Sequence, residues 1–434
     1  MRDFLPDDVR RRQYVIGIIG DVYQRYGFEP LETPSVENIE TLIGKYGEEG
    51  DRLIFRILKR GDEGKAGEAD LALRYDLTVP LARVIAEYRA QLPKFFKRYQ
   101  VQPVWRADRP QKGRFREFYQ CDVDAMGSSS PVVEAELCAA VSDVLLALGF
   151  NDFEIVINHR QLLTALLNGA GVDPSRHGDA LTALDKFDKI GRDGVAQEFT
   201  ERGIETDAAS RLLAWMGTAW PADWLPWLEQ QLPLDGAGRA GAENLRDILA
   251  LTAATSAAPH IRVEPSLARG LSYYTGAIFE IKVKDLAGSL GGGGRYDNLV
   301  GMFAGEPVPA AGFSLGLERI LVVMGDRKMF PEALVATAAE VMVTIWNADA
   351  TGDAIRLARE LRGAGLRVDV YPDADKIGKQ FKYASARNIR FVAVLGEGER
   401  ERNEVAIKNL TTGEQVPVPR VGVANYLLAS LPRT

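Results

Sequence analysis

Apolar positions along this chain change their spacing several times, and each change marks an element. Residues 7 to 26 place apolar side chains at helical intervals and predict an amphipathic helix. FEPLETPSVEN then predicts a strand running into Pro34, whose missing N–H suits a strand edge or a turn. Within residues 71 to 88, LALRYDLTVPLARVIAEY, the pattern predicts a strand, a turn at Pro80 and a helix. Two extended runs flank RADRPQKGRFREFYQCDVDAMG, residues 106 to 127, and Pro110 and Gly113 punctuate them as a hairpin. The second run alternates apolar with polar residues, so Gln120, Asp122 and Asp124 share one face of a strand. PVVEAELCAAVSDVLLALGF predicts a helix ending at Gly149, and FEIVIN predicts a strand after it.

The character of the chain shifts from residue 160 to about 255, which is Ala- and Leu-rich, broken by glycine and without β-rich runs. It predicts an inserted helical unit. Strand patterns return in SYYTGAIFEIKV, GGGGRYDNLV and AAGFSLGLERILVVM. Few parallel crossovers separate these strands, so the pattern predicts an α+β domain over 1–325, with a mainly antiparallel sheet and flanking helices. Glycines 291 to 294 allow either a flexible loop or a strand that something must approach closely, with the second favoured. Beyond residue 335, strand and helix alternate through VMVTIW, DAIRLARELRGAG, LRVDVY, KQFKYASARN and FVAVLG, which predicts a small α/β domain over 335–434.

Composition narrows the class. The chain has 434 residues, 46% hydrophobic and 26% charged, which is the balance of a soluble globular protein long enough for two or three cores. Cys121 and Cys138 form no CxxC pair and the histidines are scattered, so neither a disulfide framework nor a structural zinc is expected. The amino-terminal segment is charged throughout and predicts neither a signal peptide nor a membrane span, giving an expected cytoplasmic location. A net charge of −7 argues against a general nucleic-acid coat but leaves room for local basic patches.

The candidate chemistry lies in those patches. No P-loop, dinucleotide glycine motif or nucleophile elbow is present in a credible context, so phosphate would have to be gripped by arginines. Arg106, Arg109, Lys112, Arg114 and Arg116 crowd the predicted hairpin, and Arg269, Arg295 and Arg319 sit beside turns or glycines. Any one alone reads as a structural ion pair; the group together points to polyanion binding. In the C-terminal domain, Lys376, Lys379 and Lys382 recur at helical spacing, followed by Arg387 and Arg390. They form either a solvated helix face or a nucleic-acid contact.

These segments resemble the histidyl-tRNA synthetase family of class II aminoacyl-tRNA synthetases, over nearly the whole chain. ETPSVEN around Pro34 resembles the first class II motif, a dimer-interface element, the 106–127 stretch the second, and AAGFSLGLERI the third. LARGLSYYTG and GGGGRYDNLV resemble two segments peculiar to the histidyl branch, where the family usually has Asp in place of Ser272. The resemblance implies a six- or seven-stranded antiparallel catalytic sheet and an anticodon-binding C-terminal domain. It implies ATP as substrate, Mg²⁺, histidine, its tRNA and a homodimer, with no membrane partner. Arg106 would attend the α-phosphate side of ATP, Arg319 its far phosphates and adenine, and Arg269 the reacting carboxylate and α-phosphate, with Arg114 and Gln120 also binding ATP. Asp76, Thr78 and Gln120 would hold the histidine amino group, and Asp124 and Tyr274 would read its imidazole, with Tyr273 lining the pocket. Arg109, Lys112, Lys376, Lys379 and Lys382 would contact tRNA. Two alternatives keep the fold without the activity: a histidine-sensing regulatory subunit of ATP phosphoribosyltransferase, and an inactive tRNA-binding scaffold.

Overall fold

The computed structural model describes the chain except residues 110–112, 114, 217–219, 222, 269–272, 287, 332–333, 335–338 and 432–434, and the side chains of residues 48 and 49. Two compact units result, Met1–Phe330 and Pro331–Thr434. Among the described residues no helix is long and apolar enough to cross a membrane.

The first unit is organised by an eight-stranded sheet. In chain order its strands are β1 (Glu29–Pro30), β5 (Phe96–Trp105), β6 (Glu117–Met126), β7 (Glu154–His159), β8 (Ile261–Val263), β9 (Ala277–Lys282), β10 (Ser289–Arg295) and β11 (Ala310–Gly316). They lie in the order β1-β5-β6-β11-β10-β9-β7-β8. The five central pairings are antiparallel, whereas β1 joins β5 and β8 joins β7 in parallel. The sheet is therefore mixed at its two edges. A smaller sheet of β2 (Val36–Asn38), β3 (Arg56–Leu58) and β4 (Ala69–Leu73) is ordered β2-β4-β3.

Strand alternation sorts β6 into two chemistries. Cys121, Val123 and Ala125 point into a core with Val15 and Ile19 of the helix Pro6–Arg25 and Leu137, Val141 and Val144 of the helix Val132–Ala147. Gln120, Asp122 and Asp124 point the other way. The face they occupy is closed at one end by a second core, in which Tyr46, Val79, Tyr273 and Tyr296 pack with Phe96 and Met126. The helix Thr78–Tyr88 carries Pro80 inside its first turn, where the sequence suggested a turn before the helix. A proline is tolerated there because the first N–H groups of a helix have no intrahelical acceptor. Between β7 and β8 the chain is helical, in Arg160–Ala170, His177–Leu184, Phe187–Glu201, Thr206–Met216, Trp224–Gln231 and Gly236–Thr252.

The second unit holds a five-stranded sheet of β12 (Val341–Val343), β13 (Val368–Val370), β14 (Phe391–Val394), β15 (Glu404–Asn409) and β16 (Gln415–Pro419), ordered β13-β12-β14-β15-β16. The first three are parallel and β14, β15 and β16 pair antiparallel. Val341 and Val343 face the helices Thr351–Gly363 and Val423–Ser430, and Met342 faces the opposite side with Ala384 of the helix Ile377–Ala386. Both faces are covered, as the parallel part of such a sheet requires.

Candidate active site

Register brings one polar surface together across four strands. Asp124 pairs with Arg98 on β5 and with Gly312 on β11, Asp122 with Gln100 and Ser314, and Gln120 with Gln102 and Gly316. Gly294 on β10 lies opposite Gly312. The glycine run is a strand, and its vacant Cβ positions have an identifiable use. A Cβ on Gly312 would overlap the Asp124 carboxylate, and one on Gly294 would lie 2.9 Å from the Tyr274 ring. At least these two glycines make room for the protein's own polar side chains on the site face.

Asp76 ends the approach to the helix Thr78–Tyr88 and is 1% exposed. Its Oδ1 accepts from Val79 N at 3.0 Å and from the Tyr46 hydroxyl at 2.9 Å, so one oxygen caps the helix. Oδ2 accepts a longer bond, 3.3 Å, from Tyr273, whose hydroxyl also interacts with Thr78. Oδ2 is thus the oxygen with capacity left for a cation. Gln120 donates to the Ser314 hydroxyl at 2.9 Å while its buried Oε1 has no hydrogen-bond partner among the described residues. Together Asp76 and Gln120 present two acceptors suited to an ammonium group.

The middle of the face holds an unmatched charge set. Arg98, 0% exposed, lies 2.9 Å from Asp124 Oδ2 and 3.9 Å from Asp122 Oδ2. The Tyr296 hydroxyl donates to the other Asp124 oxygen. Burial raises the Asp122 carboxyl to about 7, against the pull of Arg98 and with the push of Asp124. Asp124 and Asp76 are raised as well, burial being the leading cause in both. One buried guanidinium, Arg98, therefore stands between two buried carboxyl groups, while Arg106 acts on the third, Asp76, and the surface favours a cationic or N–H-bearing ligand.

The arginines predicted to meet phosphate divide. Arg106 follows β5, stacks on Tyr75 at 4.3 Å and near Phe118 at 5.2 Å, and donates from Nε to the Tyr75 carbonyl at 3.1 Å. It sits one residue from Asp76 through Tyr75, at the rim of the same face. Arg319, in the first turn of the helix Leu317–Asp326, donates to the Ser289 carbonyl and lies beside Gly113 and Gly288. Arg295 does not belong to the site. Strand alternation turns it to the opposite face, where Glu134 receives Nε at 2.6 Å and Nη2 at 2.9 Å. It is the structural ion pair, not a phosphate ligand. Arg269, Lys112 and Arg114 lie outside the described residues; Arg109 is exposed beside the hairpin.

Arg98 and Tyr296 were not singled out by the sequence, since nothing in KRYQ separates Arg98 from Lys97 until the register places it against Asp124. Asn158 was also missed. Buried at the end of β7, it donates to the carbonyls of Pro265 and Leu267 at 3.0 and 3.1 Å and accepts from His159 N at 2.8 Å. It thereby fixes the segment that leads to residue 269. In the second unit, Lys376, Lys379 and Lys382 are exposed, but Lys379 reaches Asp375 at 3.0 Å and Arg387 reaches Asp369 at 3.0 Å.

Comparison with known proteins agrees with this architecture. Residues 1–320 match the family model described as histidyl-tRNA synthetase, and 340–430 the model described as anticodon binding domain. Among curated relatives, histidine–tRNA ligases of Flavobacterium johnsoniae and Gloeobacter violaceus are each 41% identical, covering 98% and 99% of this chain and 98% and 97% of their own lengths. The crystal structure of histidyl-tRNA synthetase from a Nostoc species superposes with a TM-score of 0.81 at 30% identity, covering 99% of this chain and 98% of that one. The apo S. aureus histidyl-tRNA synthetase shares the fold at a TM-score of 0.69 and 23% identity, covering 98% of each chain. The mixed sheet and its flanking helices are those of class II aminoacyl-tRNA synthetases. Within that class, the chain belongs to the histidyl-tRNA synthetase family.

Proposed function

We propose that this chain joins histidine to its tRNA in two steps, with the site face described above as the place of activation. A histidine carboxylate oxygen attacks the α-phosphorus of ATP, the bond to pyrophosphate breaks, and histidyl-adenylate forms. A hydroxyl at the tRNA 3′ end then attacks the activated carbonyl and releases AMP. Neither step requires a nucleophile from the protein, so the work is orientation and neutralisation of charge. The observation that supports this reading most is the buried trio Asp76, Asp122 and Asp124, in which Arg98 stands between Asp122 and Asp124 and Arg106 lies toward Asp76, on a face that also offers the Gln120 acceptor. Such a surface suits a ligand with an ammonium group and a ring N–H.

In this reading Asp76 Oδ2, Thr78 and Gln120 hold the amino group, and Asp124 and Tyr274 read the imidazole beside Tyr273. Arg106 attends the α-phosphate, Arg319 the distal phosphates and adenine, and Arg269 spans the reacting carboxylate and phosphate, with Arg114 and Gln120 also binding ATP. Mg²⁺ would arrive on the nucleotide's phosphates and share their charge. Arg109, Lys112, Lys376, Lys379 and Lys382 approach tRNA, and the Pro34 segment supports a homodimer in the cytoplasm. The regulatory-subunit reading is not favoured, because the chain carries the anticodon-binding unit and matches curated ligases over nearly its whole length.

The test is ATP–pyrophosphate exchange with each amino acid in turn. Histidine alone is expected to drive it, and comparable exchange with any other amino acid overturns the reading. An Arg269→His variant is expected to slow single-turnover adenylate formation by about 10² to 10³, as for loss of one preorganised donor at a developing charge.

A further inference from the structure

Arg98 is the residue of this face that the activation chemistry leaves unexplained. Its side chain is fully buried, yet Nε and Nη1 have no hydrogen-bond partner among the described residues. Nη2 lies 2.9 Å from Asp124 Oδ2 and 3.9 Å from Asp122 Oδ2, and reaches the Leu77 carbonyl at 3.4 Å. The contact with Asp124 is close but not aligned as a hydrogen bond, because Asp124 Oδ2 lacks a hydrogen-bond partner among the described residues. A buried arginine kept for stability would saturate one carboxylate in a forked, bidentate contact. Arg98 instead sits between two and saturates neither.

We propose that Arg98 is a positioning residue for recognition of the histidine side chain, holding the Asp124 carboxylate in place while Asp122 draws part of its charge away and leaves Asp124 able to accept a ring N–H. The proposal rests on the reading of Asp124 as the imidazole acceptor. A guanidinium paired with Asp124 alone would neutralise it and compete with the ligand. With Asp122 in the set the trio carries one excess negative charge when both carboxyls are ionised, and that excess is available to the ring. Ser314 ties the device to the rest of the site, since its hydroxyl accepts from Gln120 and also hydrogen-bonds Asp122. Tyr296 steadies the second Asp124 oxygen, and Gly312 leaves the space that Asp124 occupies.

Protonation offers the readout. The charged and titratable groups around Asp124 are Arg98 on β5, Asp122 on β6, Tyr296 after β10, Tyr273 and Tyr274 before β9, Asp76 before the helix Thr78–Tyr88, and Tyr23 on the first helix. Arg98 lowers the Asp124 carboxyl against the effect of burial. Without Arg98, Asp124 should therefore keep its proton to higher pH and stop accepting from the ring.

The experiment measures histidine-dependent ATP–pyrophosphate exchange on the full chain between pH 6 and 9. The variants are Arg98→Met, Arg98→Lys, Asp122→Asn, the Arg98→Met/Asp122→Asn pair and Asp124→Asn. Titration of free histidine is common to all, so only shifts relative to the parent chain count. Arg98→Met should raise the KM for histidine at least tenfold with the KM for ATP within twofold, and should move the acid limb of kcat/KM for histidine to higher pH. Arg98→Lys should recover much of that limb. Adding Asp122→Asn to Arg98→Met should move it part of the way back, because one of two like charges is gone. Should Arg98→Met fail to fold, Asp122→Asn alone decides: its acid limb should move to lower pH, and an unmoved limb overturns the proposal. Parallel rises in both KM values with no shift of the limb overturn it too. If Asp124→Asn leaves the histidine KM unchanged, the reading of Asp124 itself fails. If Asp124→Asn raises it and Arg98→Met does not, only the role of Arg98 fails.

Discussion

Two buried arginines on opposite faces of one sheet do different jobs. Arg295 meets Glu134 in a matched fork, two nitrogens on two oxygens, and its remaining nitrogen reaches the Ser128 carbonyl and Asp297 at 3.1 Å each. Arg98 faces two carboxylates, aligns with neither and, among the described residues, leaves donors without acceptors. Desolvating a charge is costly, and a pair repays it only when geometry is good and every polar atom is satisfied. The Arg295 pair meets that condition. The Arg98 cluster does not, and an unmet requirement in the middle of a sheet marks the place where a ligand completes the set.

The comparison breaks most visibly at Arg295. Arg295→Met strands Glu134, whose side chain is 0% exposed, and should cost about 3–5 kcal/mol of stability, the usual consequence of removing one partner from a buried pair. Denaturant unfolding measures this. Histidine KM, measured on the folded fraction, should stay near that of the parent chain. If the KM rises instead with stability intact, Arg295 belongs to the site after all and the two faces are not distinct.

Protons sharpen the contrast, because the two regions should respond to pH with opposite sign. His159 neighbours Arg295; burial first, and that positive charge second, lower its imidazole from 6.5 to about 4. The unfolded chain then binds the extra proton between those values. Stability from this residue is present above about 6.5 and is lost as pH falls toward 4. Asp122, raised from 3.8 to about 7, behaves in reverse: its contribution is full below 3.8 and is lost as pH rises through 7. The stability difference between the parent chain and His159→Gln should grow with pH over the first window, by at most on the order of 3 kcal/mol. The difference between the parent and Asp122→Asn should shrink over the second. Unfolding curves at several pH values decide, and slopes of the same sign would remove the electrostatic distinction.

Much of this arrangement was legible from residue order. The alternation in FYQCDVDAMG separates Gln120, Asp122 and Asp124 from Cys121, Val123 and Ala125, and the structure keeps that division. The same rule, applied to GGGGRYD, would have turned Arg295 away from Gly294 and out of the phosphate-binding candidates. What residue order cannot supply is register. Arg98 becomes visible only once β5 is aligned on β6, and Tyr296 only once the chain after β10 closes over Asp124. The hairpin of β15 and β16 and the closing helix Val423–Ser430 were not anticipated either. Glu404–Asn409 is short and mixes three polar with three apolar residues, which blurs the two-residue period, and Gln415–Pro419 is short and carries two prolines, which argue against a strand.

Asp124→Asn tests the functional half of the comparison with a smaller effect. Loss of a charged hydrogen bond to the imidazole should raise the histidine requirement by about 1.5–3 kcal/mol, roughly ten- to hundredfold in KM. Stability should hold or improve, because the cluster loses one of its crowded negative charges. A histidine analogue lacking ring nitrogens should discriminate less against the variant than histidine does. Equal KM values for histidine in the parent and variant chains would remove Asp124 from the recognition set.

The smallest effect is expected among the exposed cations of the second unit, which carry the contrast between matched and unmatched charge onto a solvated surface. Lys379 already shares its charge with Asp375 in an i, i+4 pair, with 65% of its side chain exposed. Lys382, one turn further along the same helix, is exposed and stands in no ion pair within 4.0 Å among the described residues. A lysine that neutralises a phosphate releases a counterion, so its loss weakens binding alike for all sequences and lowers the slope of log affinity against log salt by about one. Lys382→Gln should therefore reduce tRNA affinity and flatten that slope. Lys379→Gln should do so less, since part of its charge is spent on Asp375. Filter binding of the tRNA between low and moderate salt measures both. Identical slopes for the two variants and the parent chain would leave this helix as a solvated face and move the tRNA contact elsewhere on the unit.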